Sequence, residues 1–265
     1  MSGRQVTQPA VRASGTEEAG DVPRVSPRRV RGRLLLAAAA AVVVAAAAAS
    51  AYLMTKPATS QGGLSRVSGI PEVIPDSTVN MMELNALPHK AAPGFTFTDQ
   101  NGRTMSLSDF RGKVVVLEFL DPHCTDICPI VSREFVDAYH DLGANAGKVV
   151  FLGINVNQYY AGVTDVLAFS KEQQLTTIPS WHYLTGPTPA LQAAWSDYHI
   201  WVQAPNPDAD ILHTSAVYFI APDGTERYQA SPQVDHSASG SSYLPLGQIN
   251  AWGHGIADLA STLAG

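Results

Sequence analysis

The stretch Val114-Val115-Val116-Leu117-Glu118-Phe119-Leu120-Asp121-Pro122-His123-Cys124-Thr125-Asp126-Ile127-Cys128-Pro129 decides the fold. Residues 114–119 form a nearly continuous β-branched and apolar run behind Gly112-Lys113, the pattern of a central strand buried on both faces. Pro129 suits the first turn of a helix, and Ile130, Val131, Phe135, Val136, Tyr139 and Leu142 then fall on one face of a 3.6-residue period. Strand, loop and helix in that order bring Cys124 and Cys128, the only two cysteines of the chain, to a sheet edge at the head of a helix.

Working outward, residues 95–98 and 105–107 flank Asn101-Gly102, a strong turn pair, and predict an opening hairpin. Residues 149–154 predict a second buried strand, 162–172 a crossover helix and 182–184 a short strand. Thr188 and Pro189 suit the cap and first residue of a helix through Trp195. Residues 215–220 and 226–230 read as antiparallel strands around the turn Pro222-Asp223-Gly224. Ile249, Trp252, Ile256, Leu259 and Leu263 step by three or four residues and mark a last amphipathic helix. This order predicts an α/β fold: a thioredoxin-like mixed sheet flanked by helices over residues 89–265.

What precedes that domain divides by composition. Residues 1–33 hold seven Arg against three acids, a basic tail, whereas the remainder holds ten basic residues against twenty acidic ones. An acidic domain repels phosphate backbones, and no basic stripe interleaved with aromatics follows, so nucleic acid is not an expected partner. Residues 34–54 are uncharged and apolar, and at 1.5 Å per residue they cover about 31 Å, a bilayer core. Five Arg crowd their N-terminal side and only Lys56 follows closely, which predicts a single-pass cell-membrane anchor with the N-terminus cytoplasmic and the domain extracytoplasmic. The alternative is a cleaved signal peptide ending at Ala49-Ser50-Ala51. Residues 55–88, rich in Pro, Gly, Ser and Thr, read as a flexible linker.

Two cysteines three residues apart are too few for a disulfide scaffold and too close to brace a long loop, so their use is chemical. A helix N-terminus favours a thiolate, which both metal capture and disulfide exchange require. Two thiolates suit monovalent copper, and a third ligand would complete the site. His213 is the candidate, because the loop into the late strand of a thioredoxin-like sheet lies beside the cysteine loop. No proline occurs between Pro207 and Pro222, where thioredoxins keep a cis-proline. His123 is a rival ligand, awkwardly placed next to Cys124 for simultaneous coordination. Trp181, Trp195, Trp201 and Trp252 read as packing residues, and His140, His182, His199, His236 and His254 as structural ones.

The domain resembles the Sco/SenC family of membrane-anchored copper chaperones from about Gly94 to Ala264. The shared pieces are Asp99-Gln100-Asn101-Gly102, Gly112-Lys113-Val114, Cys124-Thr125-Asp126-Ile127-Cys128-Pro129, Trp181-His182-Tyr183-Leu184-Thr185-Gly186, His213-Thr214-Ser215 and Ala221-Pro222-Asp223-Gly224. The resemblance implies a thioredoxin fold that binds copper through Cys124, Cys128 and His213. It further implies delivery of that copper to the dinuclear copper site of cytochrome c oxidase, with the copper-bearing oxidase subunit or another copper protein as partner. The resemblance also implies an ability to reduce or exchange disulfides, and Cys124 and Cys128 would be the redox pair of that alternative, a thiol-disulfide oxidoreductase acting on extracytoplasmic proteins. Three positions depart from the family: Leu212 stands where Asp is common before the histidine, Thr125 where Pro is usual, and Asn155-Val156-Asn157 where Val-Asp-Pro is common. A third class, thiol peroxidase, needs an arginine and a hydroxyl near its cysteine, and neither is evident around Cys124.

Overall fold

The computed structural model describes residues 67–265; the basic tail, the apolar run of residues 34–54 and the start of the expected linker lie outside the described residues. A short helix α1 (Asp76–Met81) leads to β1 (Asn85–Ala86), the hairpin of β2 (Thr96–Thr98) and β3 (Thr104–Ser106), and β4 (Val114–Leu120). The cysteine loop then feeds α2 (Ile127–Asp141), followed by β5 (Val149–Asn155), α3 (Val163–Glu172), β6 (Trp181–Leu184) and α4 (Thr188–Asp197). The chain continues through β7 (Val202–Gln203), β8 (Leu212–His213), β9 (Val217–Ile220) and β10 (Glu226–Ala230). A small ribbon, β11 (Asp235–His236) with β12 (Ser242–Tyr243), precedes α5 (Leu246–Ala264). No helix among the described residues is long and apolar enough to cross a membrane.

The central sheet has the order β1-β10-β9-β4-β5-β6. β4 runs parallel to β5 and antiparallel to β9, so the mixed, thioredoxin-like sheet expected from the sequence is present. All seven residues of β4 are buried, because helices cover one face and α4 with the β2–β3 hairpin covers the other. Along β4, Val114, Val116 and Leu120 join the core under α2, α3 and α5, while Val115, Leu117 and Phe119 join the core under α4. Glu118 shares the parity of the first set and therefore turns toward the α2 side, a carboxyl inside an otherwise apolar strand.

Three expectations are corrected. Residues 70–84, expected to belong to a flexible linker over residues 55–88, instead pack into the domain. Ile70, Ile74, Val79, Met82 and Leu84 are buried in the first core, and Thr78 and Met82 lie against Gly255 of α5. Pro and Gly there separate short elements that still bury their apolar residues. Second, the helix expected to begin near Pro129 begins at Ile127, so Cys128 as well as Pro129 sits within its first turn. Third, α4 begins at Thr188 with Pro187 in the cap position, one residue earlier than expected. The paired strands β1, β7, β8, β11 and β12 have two residues each, too few to leave a period in the sequence.

The family motif pieces around Asp99 and His182 fasten the hairpin to the sheet edge. Gln100 Nε2 donates to the Trp181 carbonyl at 3.0 Å, and its Oε1 accepts from the Tyr183 N–H at 2.8 Å. The side chain thus acts as a strand beside β6 and satisfies an edge that would otherwise be open. Asp99, fully buried, takes the Arg103 guanidinium at 2.7 Å and stands 3.1 Å from His182 Nδ1. His182 is therefore structural, as expected.

Helices α2 and α5 cross at Gly253, where an added Cβ would lie 2.8 Å from Asp137 Cβ and 3.1 Å from two α2 backbone atoms. Backbone cannot move aside as a flexible side chain can. Gly253→Ala is expected to lower stability by about 1–3 kcal/mol through overpacking, outweighing the gain of about 1 kcal/mol in helix propensity. Urea unfolding of the two proteins measures this, and a more stable variant would show that α5 can shift freely.

Candidate metal and redox site

β4 ends at Leu120, and the chain turns through residues 121–126 before α2 begins. Asp121, buried, shapes that turn: its carbonyl accepts the Cys124 N–H at 3.1 Å, and its Oδ1 accepts the His123 N–H at 2.8 Å. The same Oδ1 accepts from Asn157 Nδ2 at 2.9 Å, which ties the cysteine loop to the loop after β5. Asn157 Oδ1 in turn accepts the N–H groups of Tyr159 and Tyr160. Asn157, noted in the sequence only as a departure from the family pattern, is thus part of the scaffold of the site.

Cys124 and Cys128 are both free thiols, the first half-buried and the second buried. The Cys128 N–H at the head of α2 points to Cys124 Sγ at 3.4 Å. The Cys128 thiol also donates to Cys124, and with the helix N–H groups this holds the Cys124 thiol below the ordinary cysteine range despite burial. Cys128 moves the other way, pushed well up by the hydrogen bond it gives and by its burial. Of the pair, Cys124, the more accessible sulfur, is therefore the more acidic and Cys128 the less.

His213 lies in β8, paired across the ribbon with Val202 of β7, and is half-buried. Its Nδ1 lies 3.0 Å from the Thr214 carbonyl. A carbonyl only accepts, so Nδ1 carries the hydrogen and Nε2 keeps the lone pair that a metal would need. Burial pulls the imidazole below the ordinary histidine range, which favours the neutral, ligating form.

Cys124 and His213 are walls of one cleft of about 370 Å³, with Asp121, Asp126, Asp208 and Asp210 also lining it. Among the described residues no lysine or arginine lines this cleft, so its field favours a cation over an anion. The structure brings Cys124 and Cys128 into contact and sets His213 on the same cleft. It does not draw the three together: among the described residues, no three of His, Cys, Asp and Glu are gathered closely enough to hold a metal ion. The donor set itself, two thiols and a neutral imidazole with a free nitrogen, fits a soft monovalent ion. His123 stacks on Tyr160 with ring centroids 3.7 Å apart, an arrangement that turns its ring toward that partner.

A larger cavity, about 490 Å³, is lined by Arg103, Lys113, Tyr139 and His182. It lies where β4 and β6 begin, the opposite end of the sheet from the cysteines, and it contains neither of them.

A mixed sheet that presents a thiol pair at the head of a helix defines a thioredoxin-like thiol protein. More narrowly, the chain belongs to the SCO1/SenC family, whose profile matches residues 85–239, more than half of its length. It is 26% identical over 132 residues to the SCO1 protein homolog of Bacillus subtilis (strain 168), covering 49% of this chain and 68% of that one. It is 30% identical over 151 residues to the mitochondrial SCO2 homolog of Homo sapiens, covering 53% of this chain and 54% of that one. The chain thus spans about half the length of the human relative it matches. Among solved structures it is similar in fold to Bradyrhizobium japonicum ScoI with copper bound. That likeness has a TM-score of 0.51 at 20% identity and covers 66% of this chain and 99% of that one.

Sequence reading passed over Glu118, whose Oε1 accepts from the Ser215 hydroxyl and the Ala216 N–H, two and three residues after His213. A lone carboxyl inside the run of residues 114–120 was its signal.

Proposed function

We propose that this protein is a metallochaperone that takes up copper through Cys124, Cys128 and His213 and passes it to a copper protein, the dinuclear copper site of cytochrome c oxidase being the acceptor. The observation that carries this reading is the contact of Cys124 Sγ with the Cys128 N–H and thiol at the head of α2, with His213 on the same cation-favouring cleft. Copper is the cargo here. Cys124 would offer the first sulfur as thiolate, Cys128 would lose its proton on joining, and the Nε2 lone pair of His213 would complete the set. The family membership and the copper-bound ScoI relative support the choice of metal. The apolar run of residues 34–54, with its Arg-rich N-terminal flank, supports a membrane anchor that leaves the domain extracytoplasmic.

The test is anaerobic copper(I) titration of the reduced full-length protein, followed by X-ray absorption, beside the double variant Cys124→Ser, Cys128→Ser. One-to-one binding with sulfur and nitrogen ligands, abolished in the variant, is expected. A wild-type protein that takes up no copper(I) would overturn the chaperone reading.

A second reading, thiol-disulfide exchange, is favoured by the opposite shifts of the two thiols. The Cys124 thiolate would attack a partner disulfide, forming a mixed disulfide and releasing one partner sulfur as thiolate. Cys128, giving up its proton, would then attack Cys124, closing the Cys124–Cys128 disulfide and releasing the second partner sulfur. The partner gains two electrons and this protein loses two.

A further inference from the structure

We propose that Glu118 is a positioning residue for the metal site: it fixes the segment that carries His213 to the strand that delivers the cysteines. This rests on the reading of His213 as a copper ligand. Glu118 is fully buried, six residues ahead of Cys124 on β4. Its Oε1 accepts the Ser215 hydroxyl at 3.0 Å and the Ala216 N–H at 3.3 Å.

The reason for such a bond lies in where the sheet ends. The register of β4 with β9 runs Val115–Ile220, Val116–Phe219 and Leu117–Tyr218 and then stops. Beyond Leu117 no backbone pairing ties residues 213–216 to β4, yet that is where His213 must meet the cysteine loop. On its other side His213 is held by β7, through its pairing with Val202 and through the Thr214 N–H on the Trp201 carbonyl at 3.0 Å. Val202 and Ile211 pack the ribbon against the second core, and Tyr159 holds the Ala204 carbonyl, but the hydrogen bonds from β4 to the segment just after His213 are those on the Glu118 carboxyl. The carboxyl takes over from the ladder at its last rung.

A buried carboxyl is a costly way to fill a core position, since an apolar residue of similar volume packs there without desolvation. Among the described residues Glu118 Oε2 has no hydrogen-bond partner, so stability alone gives little reason for the acid. What Oε1 supplies is a fixed acceptor for two groups within three residues of His213. Supports of this kind hold a ligand in its coordinating orientation, and their loss costs about 10- to 100-fold in metal affinity.

The experiment compares Glu118→Leu, Glu118→Gln, Ser215→Ala and His213→Ala in the full-length protein. Copper(I) affinity is measured by competition, ligand type by X-ray absorption, and Cys124–Cys128 disulfide closure by thiol trapping. Glu118→Leu and Ser215→Ala are expected to lose about 10- to 100-fold in copper affinity and to weaken the nitrogen contribution. Glu118→Gln, which keeps the acceptor oxygen, should retain both. Disulfide closure should be unchanged in all four. Ser215→Ala removes only a hydroxyl from a half-buried residue and keeps the test valid if Glu118→Leu fails to fold. Wild-type affinity and nitrogen signature in Ser215→Ala, with both lost in His213→Ala, would overturn the positioning role alone. An unchanged nitrogen signature in His213→Ala would overturn the ligand reading, and the positioning role with it.

Discussion

His213→Ala is expected to cut copper(I) affinity by more than about a hundredfold while leaving the Cys124–Cys128 disulfide as easy to form as in the unaltered protein. Removing an outer support of a ligand already costs about 10- to 100-fold, so removing the ligand itself should exceed that range. The thiols do not depend on the imidazole for their contact: Cys128 reaches Cys124 through the first turn of α2 and through its own thiol. Absorption spectroscopy should show two sulfurs retained and the nitrogen lost. If copper affinity is unchanged, the thiol pair alone carries the metal, and His213 is a packing residue held by Thr214. If disulfide closure slows as well, the two chemistries share a residue that the geometry separates.

The second large effect is on stability against pH. Burial raises the Glu118 carboxyl from 4.5 to about 8, against the opposing hydrogen bonds from Ser215 and Ala216. Glu134, buried on α2 with neither oxygen hydrogen-bonded, is raised as well, by burial and then by its proximity to Glu118. Below about pH 4.5 Glu118 is neutral in both the folded and unfolded chain. Above it, the unfolded chain releases the proton while the folded chain keeps it until about pH 8. The unfolded state therefore binds fewer protons across that window, and stability falls as pH rises through it.

For a fully buried group this shift corresponds to about 3–5 kcal/mol between pH 5 and pH 9, a large share of the stability of a domain this size. Glu118→Gln should make the profile shallower, leaving the part that buried Glu134 contributes in the same direction. Urea unfolding across that range checks the claim, and a wild-type profile flat from pH 5 to pH 9 would refute it. At the acid end Asp99 acts in the opposite sense. Burial pushes its carboxyl up, but hydrogen bonds from Arg103, His182 and Asn101 overcome that and hold it at about 2. Its contribution is present above the ordinary carboxylate range and is lost as pH falls toward 2.

Much of this architecture was legible because it rests on period and punctuation. The run of residues 114–119 became β4, the steps from Ile249 to Leu263 became α5, and Asn101-Gly102 became a turn with Gly102 at φ +79°. Such patterns survive in sequence because one face of each element must be apolar whatever it packs on. The two-residue strands β7 and β8 left no such pattern, although one of them carries His213. Residues 67–88 misled for a related reason: their Pro and Gly content was visible, but Thr78 and Met82 meet α5 at Gly255, far along the chain.

By itself, then, the sequence determined the thioredoxin-like order of elements, the placement of Cys124 and Cys128 between strand and helix, and the acidic character of the domain. Those are local properties of side-chain type and spacing. Only the tertiary structure decided which thiol is the more acidic, that Asn157 and Asp121 brace the cysteine loop, and that Glu118 reaches Ser215 from the neighbouring strand. Each of these needs groups 36 to 97 residues apart to meet at hydrogen-bond distance, or a burial that no local pattern encodes.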